Sequence, residues 1–184
     1  MKRGIKMKKF NAVLILLALM LSLIACSNSG VEVPEGMQLV SSDDVAYHLF
    51  VPGGWIPSES NGICGAYYSS SDKSSITMSS FYPEGDMFSI NDYWQTCEAS
   101  YTETYKNFVL EEKPKDNASN AMLGEKAAFK YVFTADIDGK SYKFIQIVTV
   151  HDNMFYTLTY TSSAENYASH LEDVEKTISE FKFK

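Results

Sequence analysis

The stretch from Lys126 to Thr161 constrains the fold more than any other part of this chain. Three runs rich in β-branched and aromatic residues, Lys126–Ala135, Ser141–Val150 and Met154–Thr161, are joined by Asp138-Gly139 and by His151-Asp152-Asn153. Turn sequences of this kind close two-stranded ribbons, so the runs predict an antiparallel meander. Phe144, Val148 and Val150 alternate with Ile145 and Ile147, which makes both faces of the meander apolar. A sheet of that kind must be covered on both sides.

Two segments of helical period can supply the cover. Ser89-Ile90-Asn91-Asp92 reads as a capping-box start with Asp92 in place of Glu or Gln, and Ile90, Tyr93, Trp94, Cys97, Tyr101, Tyr105 and Phe108 follow at spacings of three and four. Ser162 to Glu165 reads as the cap of a second helix. Its stripe is Ala164, Tyr167, Ala168, Leu171, Val174, Ile178 and Phe181, with Glu172, Asp173, Glu175 and Lys176 facing water. Earlier strands are expected at Met37–Ser41, Ala46–Val51, Gly65–Ser69 and Ser75–Tyr82, and Glu111–Gly124 reads as a loop or irregular hairpin. The fold class expected is α+β: an antiparallel sheet flanked by helices in a three-layer α/β/α sandwich.

The N-terminus has a different character. Lys2, Arg3, Lys6, Lys8 and Lys9 precede an apolar run from Ala12 to Ile24 that ends in the small residue Ala25, the pattern of a signal peptide. About 13 residues of helix span roughly 20 Å, too short for a ~30 Å hydrocarbon core. Leu23-Ile24-Ala25-Cys26 resembles the bacterial lipobox. That resemblance implies cleavage before Cys26, a diacylglyceryl group on its thiol, and acyl chains that hold the protein on the extracytoplasmic side of the cell membrane. The division expected is therefore 1–25 signal peptide, 26–36 lipidated tether and 37–184 a single domain.

Charge narrows the partners. Beyond residue 25 there are 11 lysines and no arginine against 23 acids, a net of −12, which argues against a phosphate-backbone binder. No nucleic acid partner is expected. Motifs for chemistry are equally sparse. Thr134-Ala135-Asp136-Ile137-Asp138-Gly139 echoes a calcium loop, but Thr134 replaces the first carboxylate and Ile145 stands where the bidentate Glu belongs. His48, His151 and His170 share no metal-ligand spacing. No nucleophile elbow, phosphate loop or dinucleotide fingerprint occurs, so no catalytic residue, metal or cofactor is expected. Cys64 and Cys97 are the remaining cysteines; export permits a disulfide between them, while their apolar settings favour buried thiols. Either Tyr67 or Tyr68 should point away from the core, and Trp55 should pack at the sheet edge.

A strand ending in Val51-Pro52-Gly53-Gly54-Trp55, a hairpin ending near Tyr82-Pro83, a helix containing Tyr93-Trp94, a meander through Gln146 and Tyr156-Thr157-Leu158-Thr159-Tyr160, and a closing helix together resemble the PsbP-like domains. The resemblance spans nearly the whole mature domain. It implies the fold found in plant PsbP, in a Ran-binding nuclear import factor and in many bacterial lipoproteins, and no particular activity. The expectation is a non-enzymatic, lipid-anchored envelope module that binds a protein partner or small ligand. The alternative is an accessory ligand-capture lipoprotein for envelope transport, which requires a concave pocket with convergent polar groups. Replacing the anchor residue, Cys26→Ala, is expected to block maturation and shift the protein from the membrane to the soluble fraction; a fully processed, membrane-bound variant would contradict the lipobox reading.

Overall fold

In the computed structural model the described residues are 30–60, 62–83 and 89–184. The expected signal peptide and Cys26 lie outside them. Val33–Lys184 forms one compact unit. Among the described residues no helix is long and apolar enough to cross a membrane.

The meander is its centre. β9 (Lys126–Ile137), β10 (Lys140–His151) and β11 (Met154–Ser163) pair antiparallel along nearly their whole lengths. Asp138 and Gly139 form the first turn and Asp152 and Asn153 the second, and all four residues have positive φ. This is the primed turn whose twist matches that of the flanking strands. The calcium-loop echo is thus a hairpin. β6 (Ser75–Phe81), β5 (Ile63–Tyr67) and β4 (Ile56–Ser60) extend the sheet beyond β11, and β7 (Lys106–Glu112) closes it beyond β9. The short β8 (Ala121–Leu123) also pairs with β9. Two small ribbons complete the strands: β1 (Met37–Leu39) with β3 (Phe50–Pro52), and β2 (Tyr47–His48) with the last strand, β12 (Lys182–Phe183).

Each face of the sheet is covered by one helix. Cluster one joins Ile145, Ile147, Leu158 and Tyr160 of the sheet to Tyr47, Leu49, Val174 and Phe181. Cluster two joins Phe133, Phe144, Val148 and Phe155 to Trp94, Tyr93 and Tyr101. The helices are α1 (Ile90–Thr104) over cluster two and α2 (Leu171–Glu180) over cluster one. The architecture is an α+β sandwich with a central antiparallel sheet between two helices, as expected. Ser89 caps α1: its Oγ accepts from the Asp92 N–H and donates to the Asp92 carboxylate.

Several boundaries differ from the expectation. α1 stops at Thr104; Tyr105 is its C-cap, and the chain continues at once as β7, whose second residue, Asn107, takes φ 52°. Phe108 reaches cluster two from a strand, because Phe108 and Leu110 alternate there at period two. β11 runs on to Ser163, so Ser162 is a sheet residue and Glu165 caps nothing. The Ser162 hydroxyl is buried 2.7 Å from Ser74 Oγ, and the Ala164 N–H bonds Ser141 O, which holds this part of the chain in the sheet. Only after a 3₁₀ turn at Tyr167–His170 does the helix begin. The chain then ends in β12, not in the helix. The stretch expected as one strand, Ala46–Val51, is split into β2 and β3, and Glu111–Gly124 holds the end of β7 and all of β8. β4 was not expected; every one of its residues is exposed, so it carries no apolar alternation.

The C-terminal closure depends on one glycine. Gly124 has φ +55°, and its N–H bonds the Ile178 carbonyl at 2.8 Å. A methyl group there would meet the Phe181 carbonyl oxygen. Gly124→Ala therefore combines a left-handed backbone penalty with a clash against backbone, and is expected to lower stability by about 2 kcal/mol or more in urea denaturation. An unchanged midpoint would show that α2 can shift freely.

Candidate functional site

Two polar constellations join residues distant in sequence. The first lies beneath the β5–β6 loop. His170 Nε2 donates to Asp72 Oδ2 at 2.9 Å, and Asp72 Oδ1 accepts from Ser74 N–H at 2.9 Å and Ser74 Oγ–H at 2.7 Å. Burial alone would raise the Asp72 carboxyl. Hydrogen bonds from the Ser74 hydroxyl, His170, the Ser74 backbone and Asn166 outweigh it and hold the pKa at about 2. The residue types are those of a hydrolytic triad, but the order is wrong. The carboxylate stands between serine and imidazole, neither serine hydroxyl bonds the imidazole, and Ser74 and Ser162 are both buried. The arrangement is a clasp between a loop and the start of α2. Tyr68 lies over His170 with ring centroids 4.2 Å apart, and Trp55 donates from Nε1 to Asp173 at 3.0 Å. Trp55 is thus a buried packing residue, and of the tyrosine pair Tyr68 is the exposed one.

The second constellation is a groove between α1 and the β7–β8 loop. Asn91, Trp94, Gln95 and Glu98 line it from one side of α1, at the three- and four-residue spacings that put side chains on one helix face. Lys113, Pro114 and Asn117 line it from the loop, and Phe129 and Tyr131 of β9 complete it. Trp94 stacks on Tyr131 with centroids 3.7 Å apart and planes 6° from parallel. Burial, then the neighbouring Cys97 and Glu98, push the Tyr131 phenol up to about 12, so it stays neutral at ordinary pH. The loop is well held. Ala118 N–H bonds Lys115 O across a turn whose central residues, Asp116 and Asn117, have φ 52° and 54°, a conformation that Asp and Asn tolerate. Asn120 accepts from Lys130 N–H at 2.7 Å and donates to Lys130 O at 3.2 Å, which pins the loop to β9. The enclosed part of the groove measures about 110 Å³. A more open cleft of about 440 Å³ shares Asn91, Asn117 and Phe129 and reaches Ser89 and Asp92. The buried Trp94 Nε1–H has no hydrogen-bond partner among the described residues.

None of the groove's polar residues stood out in the sequence. Trp94 is legible as part of an apolar stripe and of the Tyr93-Trp94 pair in the PsbP-like pattern, and the loop only as a polar stretch. The adjacent Asp116-Asn117, a sequence able to turn sharply, is the one local signal that the loop is ordered. The cysteines do not come together: Cys64 belongs to cluster one and Cys97 lines cluster two, on opposite faces of the sheet, and both are free thiols. Burial raises the Cys97 thiol. His151 lies 3.6 Å from Asp152 at the second meander turn, far in sequence from the groove residues. Among the described residues no group of His, Cys, Asp and Glu could hold a metal ion.

The Asp72 clasp has a defined pH signature. Because the folded carboxyl titrates near 2 and the ordinary value is 3.8, its stabilisation is complete above about pH 4 and lost as pH falls through 2. By linkage it amounts to about 2 kcal/mol. Asp72→Asn is expected to lower stability by about that much at pH 7, with the gap to wild type closing between about pH 4 and pH 2. Urea midpoints across this range check it, and a gap independent of pH would assign the loss to packing.

No family model matches the chain, and no curated protein matches it in sequence. Solved structures do. The solution structure of cyanobacterial PsbP from Synechocystis superposes with a TM-score of 0.56 at 12% identity, covering 88% of this chain and 99% of that one. LpqN, involved in cell envelope biogenesis of Mycobacterium tuberculosis, gives 0.56 at 15% identity over 80% of this chain and 90% of its own. The Saccharomyces cerevisiae Ran-binding protein Mog1p gives 0.55 at 10% identity over 80% and 95%. At these identities the likeness is one of fold, and the fold of Val33–Lys184 is that of PsbP and Mog1p.

Proposed function

We propose that this protein is a lipid-anchored, non-enzymatic binding protein of the bacterial cell envelope. Cys26 carries the lipid, the following residues tether the domain outside the membrane, and the groove between α1 and the β7–β8 loop holds a protein partner or small ligand. The observation that carries this reading is the groove: amide, carboxylate and ammonium side chains from a helix and a pinned loop converge over a stacked aromatic pair. Convergent polar groups beside an aromatic wall are what orient a ligand in a binding site. Two neighbours in fold lend support. LpqN, involved in cell envelope biogenesis, agrees with an envelope location, and Mog1p, which binds Ran, agrees with a scaffold used for recognition.

The groove is tested by a diazirine amino acid at Gln95 in the lipidated chain, irradiated in its native envelope, with the same probe at Glu175 on α2 as control. Both positions are exposed, and α1 and α2 lie on opposite faces of the sheet. A discrete adduct, protein or small molecule by mass, at position 95 and not at 175 is expected. No discrete adduct, or equal labelling at both, would remove the groove from the function.

A further inference from the structure

The chemistry of the groove narrows what it can hold. Three side-chain amides, Asn91, Gln95 and Asn117, line it, and each can donate and accept at once. A hydroxyl also does both, so amides spaced along a helix and an opposing turn suit a run of neighbouring hydroxyls. The enclosed pocket has one acid, Glu98, and one base, Lys113, and the open cleft adds Asp92, whose carboxylate already accepts from Ser89 Oγ. The pocket therefore offers little field to select an ion, and the extra acid at the cleft tells against an anion. Its aromatic wall supplies the other half of the match. Phe129, half-buried, lines both the enclosed pocket and the open cleft, and a ring face of this kind packs against the C–H face of a ligand whose edge carries hydroxyls.

Size agrees. The enclosed pocket of about 110 Å³ corresponds to roughly three or four water molecules, enough for a hydroxymethyl arm and its neighbouring hydroxyl. The cleft of about 440 Å³ that continues from it has room for a six-membered ring. An extended hydrocarbon would leave the amides unpaired, which is costly in a desolvated site. We infer that the groove between α1 and the β7–β8 loop is a binding site for a neutral polyhydroxylated ligand, a pyranose sugar, with its ring on Phe129 and its hydroxyls on Asn91, Gln95 and Asn117. This rests on the groove being the functional site. It gains an internal reporter in Trp94, whose indole sits in the wall.

The chain has two tryptophans, and the other, Trp55, is bonded to Asp173. The lipidated chain labelled with ¹⁵N-indole tryptophan and held in detergent micelles should therefore give two indole signals, with Trp94→Phe removing and so assigning one. D-glucose, D-galactose and N-acetyl-D-glucosamine are titrated to about 100 mM, with inorganic phosphate, acetate and choline as charged controls. At least one sugar is expected to move the Trp94 signal saturably, with affinity about millimolar for so small a ligand, while the Trp55 signal stays in place. Asn117→Gly keeps the positive-φ turn and removes the amide; it is expected to weaken that binding by about 5-fold with the melting temperature unchanged. No saturable shift with any sugar, a shift with a charged control instead, equal movement of both indoles, or full affinity in Asn117→Gly would each overturn the inference. The Gln95 photo-adduct distinguishes the two failures: a protein adduct without a sugar response leaves the groove functional and removes only the sugar.

Discussion

Three strands that are apolar on both faces are the constraint from which the remaining structure follows. With Ile145, Ile147 and Leu158 on one side and Phe144, Val148 and Phe155 on the other, β10 and β11 cannot sit at a surface. Leaving one face in water would forgo about 25 cal/mol for each Å² of apolar area left exposed. The two hairpin turns set the register, and register decides which residues share a face, since a slip of one residue would exchange the faces entirely. Each helix then has one place to go. Gln146 shows how strictly the faces are assigned: the single amide among the apolar residues of β10 turns toward α1, where its Nε2 donates to the Tyr101 hydroxyl at 3.0 Å.

The two covered faces are closed to different degrees, and that difference locates the groove. On the α2 side the closure is dense. The Asp72–His170 bond, the Trp55–Asp173 bond, the Gly124–Ile178 bond and the β2–β12 ribbon all tie the C-terminal segment to separate parts of the chain. On the α1 side the helix ends early, and the chain returns as β7 at the sheet edge. The N-terminal half of α1 faces a loop whose residues are polar and mostly exposed, so packing there gives way to hydrogen bonding. A groove forms where the helix is supported from below by Trp94 on Tyr131 and, among the described residues, is flanked by a turn.

This also explains what could be read from the amino-acid sequence and what could not. The meander, the Ser89–Asp92 cap and the two-sided cover were legible because each is a local pattern of alternation, period or turn chemistry. β7 was hidden because Tyr101, Tyr105 and Phe108 keep helical spacing across a junction where Asn107 turns the backbone. The start of α2 was misplaced because Ser162 looks like a cap until Ser74 is brought 2.7 Å from it, across 88 residues. β4 has no apolar alternation to betray it. The groove was the least legible feature of all. Its polar residues lie on two segments separated by β7, and neither segment has a motif; only pairing β7 and β8 to β9 brings Lys113 and Asn117 opposite Asn91 and Glu98.

The point at which the chain enters the domain bears on how an anchored form could work. Glu35 and Gly36, at the end of the expected tether, already belong to the folded unit: Lys176 of α2 donates to the Glu35 carbonyl at 2.8 Å, and Gly53 N–H bonds Gly36 O. The entry point is therefore on the α2 side, and the groove is on the opposite face of the sheet. From Cys26 to Val33 an extended chain reaches only about 25 Å, less than the roughly 40 Å width of a domain this size. With a lipid on Cys26, so short a tether favours orientations with α2 toward the bilayer and the α1 groove toward the extracytoplasmic space. Confinement to a surface raises the effective concentration of partners held on that same surface, so a groove facing outward suits a weakly held ligand that the envelope itself displays.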